Sequence, residues 1–210
     1  MVGKGVLLEC LVSEHVEEVL LINRHSIQLK HPKIKELLHA DFNDFSSVEN
    51  QLQGYDACFY CMGISSLGMK EEDYSRITYN LTKALADILH AINPAMVFNY
   101  VSGMGTDSSE KDRVMWARVK GKTENLILNM GFKDAYAFRP GFILPEKRIK
   151  SRTKLYNIIY IITKPLFPLL RKMNSVTTTT RVGKAMINSV LFPQELKHLE
   201  NSDINKLALL

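Results

Sequence analysis

Short apolar runs alternating with longer amphipathic stretches constrain this chain more than any other feature. Glu18 to Asn23 (EVLLIN), Glu36 to Ala40 (ELLHA) and Tyr55 to Gly63 (YDACFYCMG) are compact and apolar, as are Ala95 to Ser102 (AMVFNYVS) and Ala135 to Arg139 (AYAFR). Polar residues, glycine or Pro140-Gly141 close each run, which predicts buried strands. Helical patterns fill the intervals at Gly5 to Val12, Ser46 to Gln53, Glu71 to Ala91 and Lys111 to Met130. In the third of these Tyr74, Ile77, Leu81, Leu85, Ile88 and Leu89 recur at three- and four-residue spacing, forming one apolar helix face. Strands separated by helices predict right-handed βαβ units and an α/β fold, a parallel sheet covered on both faces. After Pro145 the rhythm predicts helices and loops, a smaller lobe on the same unit.

With 210 residues, 46% of them apolar and 23% charged, the chain has the material for one sizeable core, which excludes a disordered tail protein. Three cysteines exclude a disulfide scaffold and predict a reducing compartment, the cytoplasm. Met1 to Leu11 carries Lys4 and Glu9 and lacks a separate apolar run, so no leader is read there. Asn157, Lys164, Pro165 and Pro168 break the apolar stretch from Leu155 to Leu170, so no transmembrane segment is expected. Charge is uneven: residues 1–100 hold 8 Lys/Arg against 13 Asp/Glu, and the remainder 19 against 9. Such asymmetry fits an anionic ligand or a solvated face. Gly3 lies twenty residues before Asn23, about the distance from the last glycine of a dinucleotide fingerprint to its ribose-contacting residue.

The stretches VGKGVLLECL, VLLINR, HADFNDF, YDACFYCMG, YVSGMGTDSS, WARVKGKTEN, FRPGFI and RVGKAMINSVL span nearly the whole chain. In this order they resemble an atypical short-chain dehydrogenase/reductase of the NAD(P)-binding epimerase/dehydratase-like kind, in its Tat-interacting protein branch. The resemblance implies a Rossmann-type doubly wound sheet, with a dinucleotide-binding core over residues 1–145 and a substrate or cap lobe over 146–210. It implies an oxidoreductase or nucleotide-sugar-epimerase-like activity on an unidentified small molecule, or a catalytically silent NADP(H)-binding redox sensor or regulatory interaction protein.

Two departures from the family matter. The family opens with a strand and a T-G-A-T-G-x-x-G turn, of which only Met1-Val2-Gly3 matches. Without that strand, buried backbone groups on its two neighbours would lack partners at about 1–3 kcal/mol each. The expectation is that the natural chain starts upstream and that cofactor binding by these residues alone is impaired. Direct pairing of the first and third strands would refute it. The second departure is at the family's Y-x-x-x-K, where this chain reads Trp116-Ala117-Arg118-Val119-Lys120. Indole does not exchange its proton near neutral pH, so Trp116 cannot replace the phenol as acid or base. A literal match, Tyr79 to Lys83, precedes the Ser102 strand instead of following it.

Individual residues carry paired readings. Neither Asn23 nor Arg24 is acidic, so the resemblance implies NADP(H) over NAD(H), with Arg24 on the 2′-phosphate; an exposed turn arginine is the alternative. Asp41 matches the residue that touches the adenine amino group, with Phe42 beside the ring, or is a turn cap. Cys61 and Gly63 fall in the loop beside the cofactor ribose and pyrophosphate, where glycine permits close approach. Cys58 and Cys61 stand three apart on a strand and point to opposite faces, so C-x-x-C reads as structural, with no metal site. By the resemblance Ser102 holds the substrate oxygen, Lys120 the nicotinamide ribose, and Pro140, Gly141 and Ile143 the loop at the carboxamide. Lys147, Arg148, Lys150, Arg152 and Lys154 read first as a solvated loop, then as a site for an acidic substrate, then for an anionic surface. No nucleic-acid signature accompanies them. Leu155, Ile158, Ile159, Ile161 and Ile162 read as a core helix, with homodimerisation or membrane contact as the alternatives.

Overall fold

The computed structural model describes residues 1–147, 149, 167–170 and 173–210. The chain opens on helix α1 (Val2–Val12), followed by β1 (Val19–Asn23) and β2 (Ile34–Leu38). A 3-10 helix (Ser46–Gln51) leads to β3 (Ala57–Tyr60). Then come α2 (Glu71–Ser75), a π-helical turn (Arg76–Asn80), α3 (Leu81–Ile92), β4 (Val97–Val101), α4 (Met115–Leu128) and β5 (Asp134–Arg139). The remainder holds β6 (Phe142–Leu144), α5 (Phe167–Leu170), β7 (Val176–Thr178), α6 (Thr179–Leu191), β8 (His198–Glu200) and α7 (Asn201–Leu207).

All the strand pairs among the described residues are parallel, as the alternation predicts. The main sheet runs β3-β4-β5-β8, while β1-β2 and β6-β7 form separate two-stranded sheets. Side-chain alternation divides the core into two clusters. Val97, Tyr136 and Phe138 pack with Val6 and Cys10 of α1, Val182, Ala185 and Met186 of α6, and Ile204 and Leu207 of α7. Phe98, Tyr100 and Ala135 face the other way, toward Leu85, Ala86 and Leu89 of α3 and Ile127 of α4. Strands β1 and β3 feed the same two clusters: Val19, Ala57 and Phe59 go to the first, Leu20, Ile22, Cys58 and Tyr60 to the second. The two sheets therefore continue one layer, yet β1 and β3 are not paired with each other.

Close helix approach locks the first face. A Cβ on Gly5 would stand 2.6 Å from Thr179 Cβ and 2.9 Å from its carbonyl oxygen, and one on Gly183 would stand 2.6 Å from Glu9 Cγ. Helices α1 and α6 thus cross on two missing side chains. Asn99 ties β4 to the same helix, its amide donating to Met186 O at 3.1 Å and Ser189 Oγ at 2.8 Å.

The C-terminal region departs from the helices and loops predicted for it. Besides α6 and α7 it supplies β7, and β8 joins the main sheet beside β5. Of the basic run, Arg148, Lys150, Arg152 and Lys154 lie outside the described residues, as do Leu155, Ile158, Ile159, Ile161 and Ile162. Lys147 is described, and its ammonium sits 2.6 Å from the buried Glu9 carboxylate. That ion pair takes one cation of the run out of a purely solvated role.

Candidate functional site

Parallel strands deliver their following loops to one edge of a sheet, and ligand sites of open α/β sheets form there. Ser102 ends β4 at that edge, buried, with its N–H donating to Phe138 O at 2.8 Å. The next three residues, Gly103-Met104-Gly105, touch every other part of the cluster. Lys120 Nζ lies 3.8 Å from where a Gly103 Cβ would be, and Trp116 Cη2 lies 3.4 Å from that of Gly105. Met104 N donates to Pro140 O at 3.1 Å, and its sulfur approaches within 3.4 Å of the Gly141 Cβ position. Gly105 has a φ of +85°, which glycine adopts without strain.

Helix α4 meets this loop because Gly121 has no side chain: a Cβ there would overlap Asp107 O at 1.7 Å. Asp107 organises the loop, accepting from Ser109 N at 2.9 Å and Oγ at 2.7 Å, and from Lys111 N at 2.7 Å and Asp112 N at 2.8 Å. Those bonds, led by that from the Ser109 side chain, hold its carboxyl down to about 2. Lys120 donates to Ser102 O at 2.8 Å. Burial lowers its ammonium to about 8, against an opposing pull from Glu124 one turn along.

The serine hydroxyl is more committed than a free donor. Thr106 Oγ1 donates to Gly103 O at 2.8 Å, so the 2.8 Å contact between Ser102 Oγ and Thr106 Oγ1 uses the serine proton. Ser102 then offers lone pairs, and accepts from a hydroxyl without rearrangement. The Pro140–Gly141 turn is equally tied: Gly141 N donates to Asn201 Oδ1 at 2.9 Å, and Phe142 N to Ser175 O at 3.1 Å. Ile143 sits mid-strand in β6, in register with Thr177.

Beneath the cluster lies a charged network that sequence reasoning missed. Glu124, fully buried, accepts from Arg139 Nε at 3.0 Å and Nη2 at 2.5 Å. Arg139 also reaches Ser108 Oγ at 2.5 Å and Glu200 Oε1 at 3.2 Å, and His198 Nε2 stands 3.5 Å from Glu124 Oε2. One ion-pair group therefore joins the helix of Lys120, the strand before Pro140 and the residue before Asn201.

The other predicted positions gather elsewhere. Gly3 brings the first turn of α1 against the end of β3, its Cβ position 3.2 Å from Cys61 Cβ. Burial pushes the Cys61 thiol up to about 12 and also raises that of Cys58. Gly63 is exposed, and a Cβ there would meet nothing within 4 Å. Asn23 and Arg24 close β1 in the separate sheet. Glu36, another residue unforeseen from sequence, binds Asn23 Nδ2 at 3.3 Å and Ile27 N at 2.9 Å, shaping the turn that carries Arg24. The Arg24 guanidinium is exposed and without an ion pair among the described residues. Asp41 caps its own turn, accepting from Asn43 N at 2.9 Å and Nδ2 at 2.7 Å. Phe42 packs edge-on against Phe45 at 5.6 Å. The literal Tyr79-x-x-x-Lys83 match is dispersed: Lys122 Nζ sits 4.7 Å over the Tyr79 ring, and Lys83 pairs with Asp87 at 2.5 Å. No cluster of metal-ligating side chains occurs among the described residues.

No family model matches the chain. It is 28% identical over 151 residues to "Protein FMP52-2, mitochondrial" of Scheffersomyces stipitis, covering 70% of this chain and 64% of that protein. It is 24% identical over 148 residues to "Protein HTATIP2" of Rattus norvegicus, covering 70% and 60%. The chain thus spans less than two thirds of the length of these relatives. Among solved structures, the Bordetella bronchiseptica enzyme WbmF in complex with NAD+ superposes with a TM-score of 0.64 at 13% identity, over 99% of this chain and 73% of that one. These similarities support kinship with the atypical short-chain dehydrogenase/reductases of the Tat-interacting protein branch. The parallel layer with helices on both faces is the Rossmann-type fold of the solved epimerase and dehydrogenase structures it superposes on, and no helix among the described residues is long and apolar enough to cross a membrane.

Proposed function

We propose that the chain binds NADP(H) in preference to NAD(H), with the adenosine end at Asn23–Arg24 and the nicotinamide end at Ser102–Lys120, and works as an oxidoreductase or epimerase-like enzyme. The observation that carries this reading is the junction of Lys120 with the Ser102–Gly105 strip at the carboxyl edge of the sheet. The residues fit such a group. Lys120 spends one N–H on Ser102 O and keeps two donors for ribose hydroxyls. At Gly63 the protein's own packing has no need of glycine, and the open space suits the close approach of a pyrophosphate. Gly3 and Cys61 stand beside it, and Asp41 and Phe42 are proposed for the adenine. The turn Pro140–Ile143 is proposed for the carboxamide, through main-chain carbonyls able to accept a second bond. When bound, the dinucleotide supplies or accepts a hydride. This chain contributes orientation through Lys120 and Ser102, and leaves proton delivery to water or to another side chain because Trp116 cannot perform it. Three free cysteines support the cytoplasmic placement.

Arg24 provides the test. A guanidinium–phosphate contact is worth about 1.5–3 kcal/mol, so Arg24→Glu is expected to weaken NADPH binding by roughly 10- to 100-fold. NADH affinity should change little, and equal losses for both nucleotides would refute the assignment. Fluorescence titration reads both.

The indole favours a second reading, a nucleotide-binding regulator without turnover. Against a carbonyl panel with NADPH, Trp116→Tyr is expected to raise turnover if the chain is an enzyme lacking its phenol. Nucleotide binding with no turnover in either form is the regulator's signature.

A further inference from the structure

We propose that Asn201 is a positioning residue for the nicotinamide end of the site: it fixes the peptide unit between Pro140 and Gly141, and with it the direction of the Pro140 carbonyl. This rests on the nucleotide reading above and adds to it a residue sixty positions beyond Gly141, acting through the backbone it holds. A trans peptide unit points its N–H and its carbonyl in opposite directions, and no cis bond occurs among the described residues. Between Pro140 and Gly141 the N–H donates to Asn201 Oδ1 at 2.9 Å, while the carbonyl accepts from Met104 N at 3.1 Å. The bond to Asn201 therefore sets how that carbonyl lies toward the loop after Ser102. Met104 uses one lone pair of its oxygen, and the second is the acceptor proposed for the carboxamide.

An asparagine at the start of a helix ordinarily turns back onto its own first turn. Asn201 opens α7, yet it is 5% exposed and bonds two distant segments instead: besides Gly141, its Nδ2 donates to Asn174 O at 2.6 Å. The helix start is served by its neighbours, Glu200 N donating to Asp203 Oδ2 at 3.1 Å. The placement of Asn201 is itself secured. The register of β5 with β8 sets Arg139 opposite Glu200, so Pro140 and Asn201 leave the sheet side by side. Arg139 Nη1 then reaches Glu200 Oε1 at 3.2 Å. Strand β6 is held without the asparagine, because Phe142 N donates to Ser175 O at 3.1 Å and Ile143 stands in register with Thr177. What Asn201 adds is the orientation of one peptide unit.

Two variants test this. Asn201→Ala removes the acceptor for Gly141 N, and Asn201→Asp keeps an oxygen there. Calorimetric titration of the 210-residue chain would use NADPH and adenosine 2′,5′-bisphosphate, which has no nicotinamide. Asn201→Ala is expected to weaken NADPH roughly tenfold, the effect of one misdirected hydrogen bond, and to leave the bisphosphate unchanged. Asn201→Asp should restore most of the NADPH affinity. Amide hydrogen exchange at Gly141 gives a reading without any ligand: protection is lost in the alanine variant and kept in the aspartate variant. Equal losses for the two ligands, an unchanged NADPH affinity in Asn201→Ala, or an aspartate variant no better than alanine would overturn the positioning role, while binding of the bisphosphate leaves the nucleotide reading standing. A chain that binds neither ligand overturns both.

Discussion

Arg139→Leu is expected to destabilise the protein by about 3–5 kcal/mol, the loss that follows when one partner of a buried ion pair is removed. Glu124 is fully buried, and both its oxygens face the guanidinium. Without Arg139 its remaining close cation is His198, 3.5 Å away and charged only when protonated. Burial first, and the Arg139 charge second, hold the His198 pKa below its ordinary 6.5. Removing Arg139 takes away one of the two causes that lower the histidine and leaves it beside an unpaired carboxylate, so its folded-state pKa rises relative to the unchanged chain. A folded-state pKa higher in the variant than in the unchanged chain stabilises the variant relative to it as pH falls and the histidine takes up its proton. The deficit of Arg139→Leu should therefore be smaller at pH 5.5 than at pH 7.5, when urea midpoints are compared with the unchanged chain. The double variant Arg139→Leu/Glu124→Leu should recover most of the loss, since replacing both charges by apolar groups removes the desolvation penalty as well. A loss that the double variant does not recover would place the damage in packing rather than in the orphaned carboxylate.

The same network marks where the sequence was legible and where it was not. Strands β4 and β5 show in their apolar runs because they are buried on both faces, and period and composition record that burial directly. The separation of Cys58 from Cys61 follows from strand geometry, and the two do join opposite core faces. The meeting of Lys120 with Ser102 was implied by family likeness and occurs through the serine carbonyl. Glu124 was invisible for a physical reason: Lys120 and Glu124 stand four apart, the spacing of an ordinary solvated helix pair. Only the arrival of Arg139 from β5 turns that carboxylate inward. Strand β8 is three residues within a polar run, and its strand character comes from pairing with Ala137–Arg139 rather than from its own composition. Glu36 likewise reads as one charge in a short strand until the turn after β1 folds back onto it.

Lys120→Met should separate what this site does for binding from what it does to stability. Burial sets the lysine at about 8 in the folded protein, against an ordinary value of 10.5. Between those two values the unfolded chain holds a proton that the folded chain has released, so stability rises with pH across that window. Below about pH 8 both states are charged, and the folded protein carries the full penalty of a half-buried ammonium. That lowering corresponds to on the order of 3 kcal/mol. Methionine matches the length of the stem without the charge, so the variant is expected to gain about 1–3 kcal/mol at pH 7 and to lose the rise in stability between pH 8 and 10.5. Nucleotide affinity should move the other way, falling by roughly tenfold or more as the donors to the ribose disappear. Denaturant midpoints at pH 7 and pH 10 together with an NADPH titration read the three effects separately. A fold that kept this lysine only as a surface cation would show neither the gain nor the flattened profile. Apolar packing alone would favour the methionine, so a cation retained at such an expense in stability is what the proposed ribose-hydroxyl role predicts.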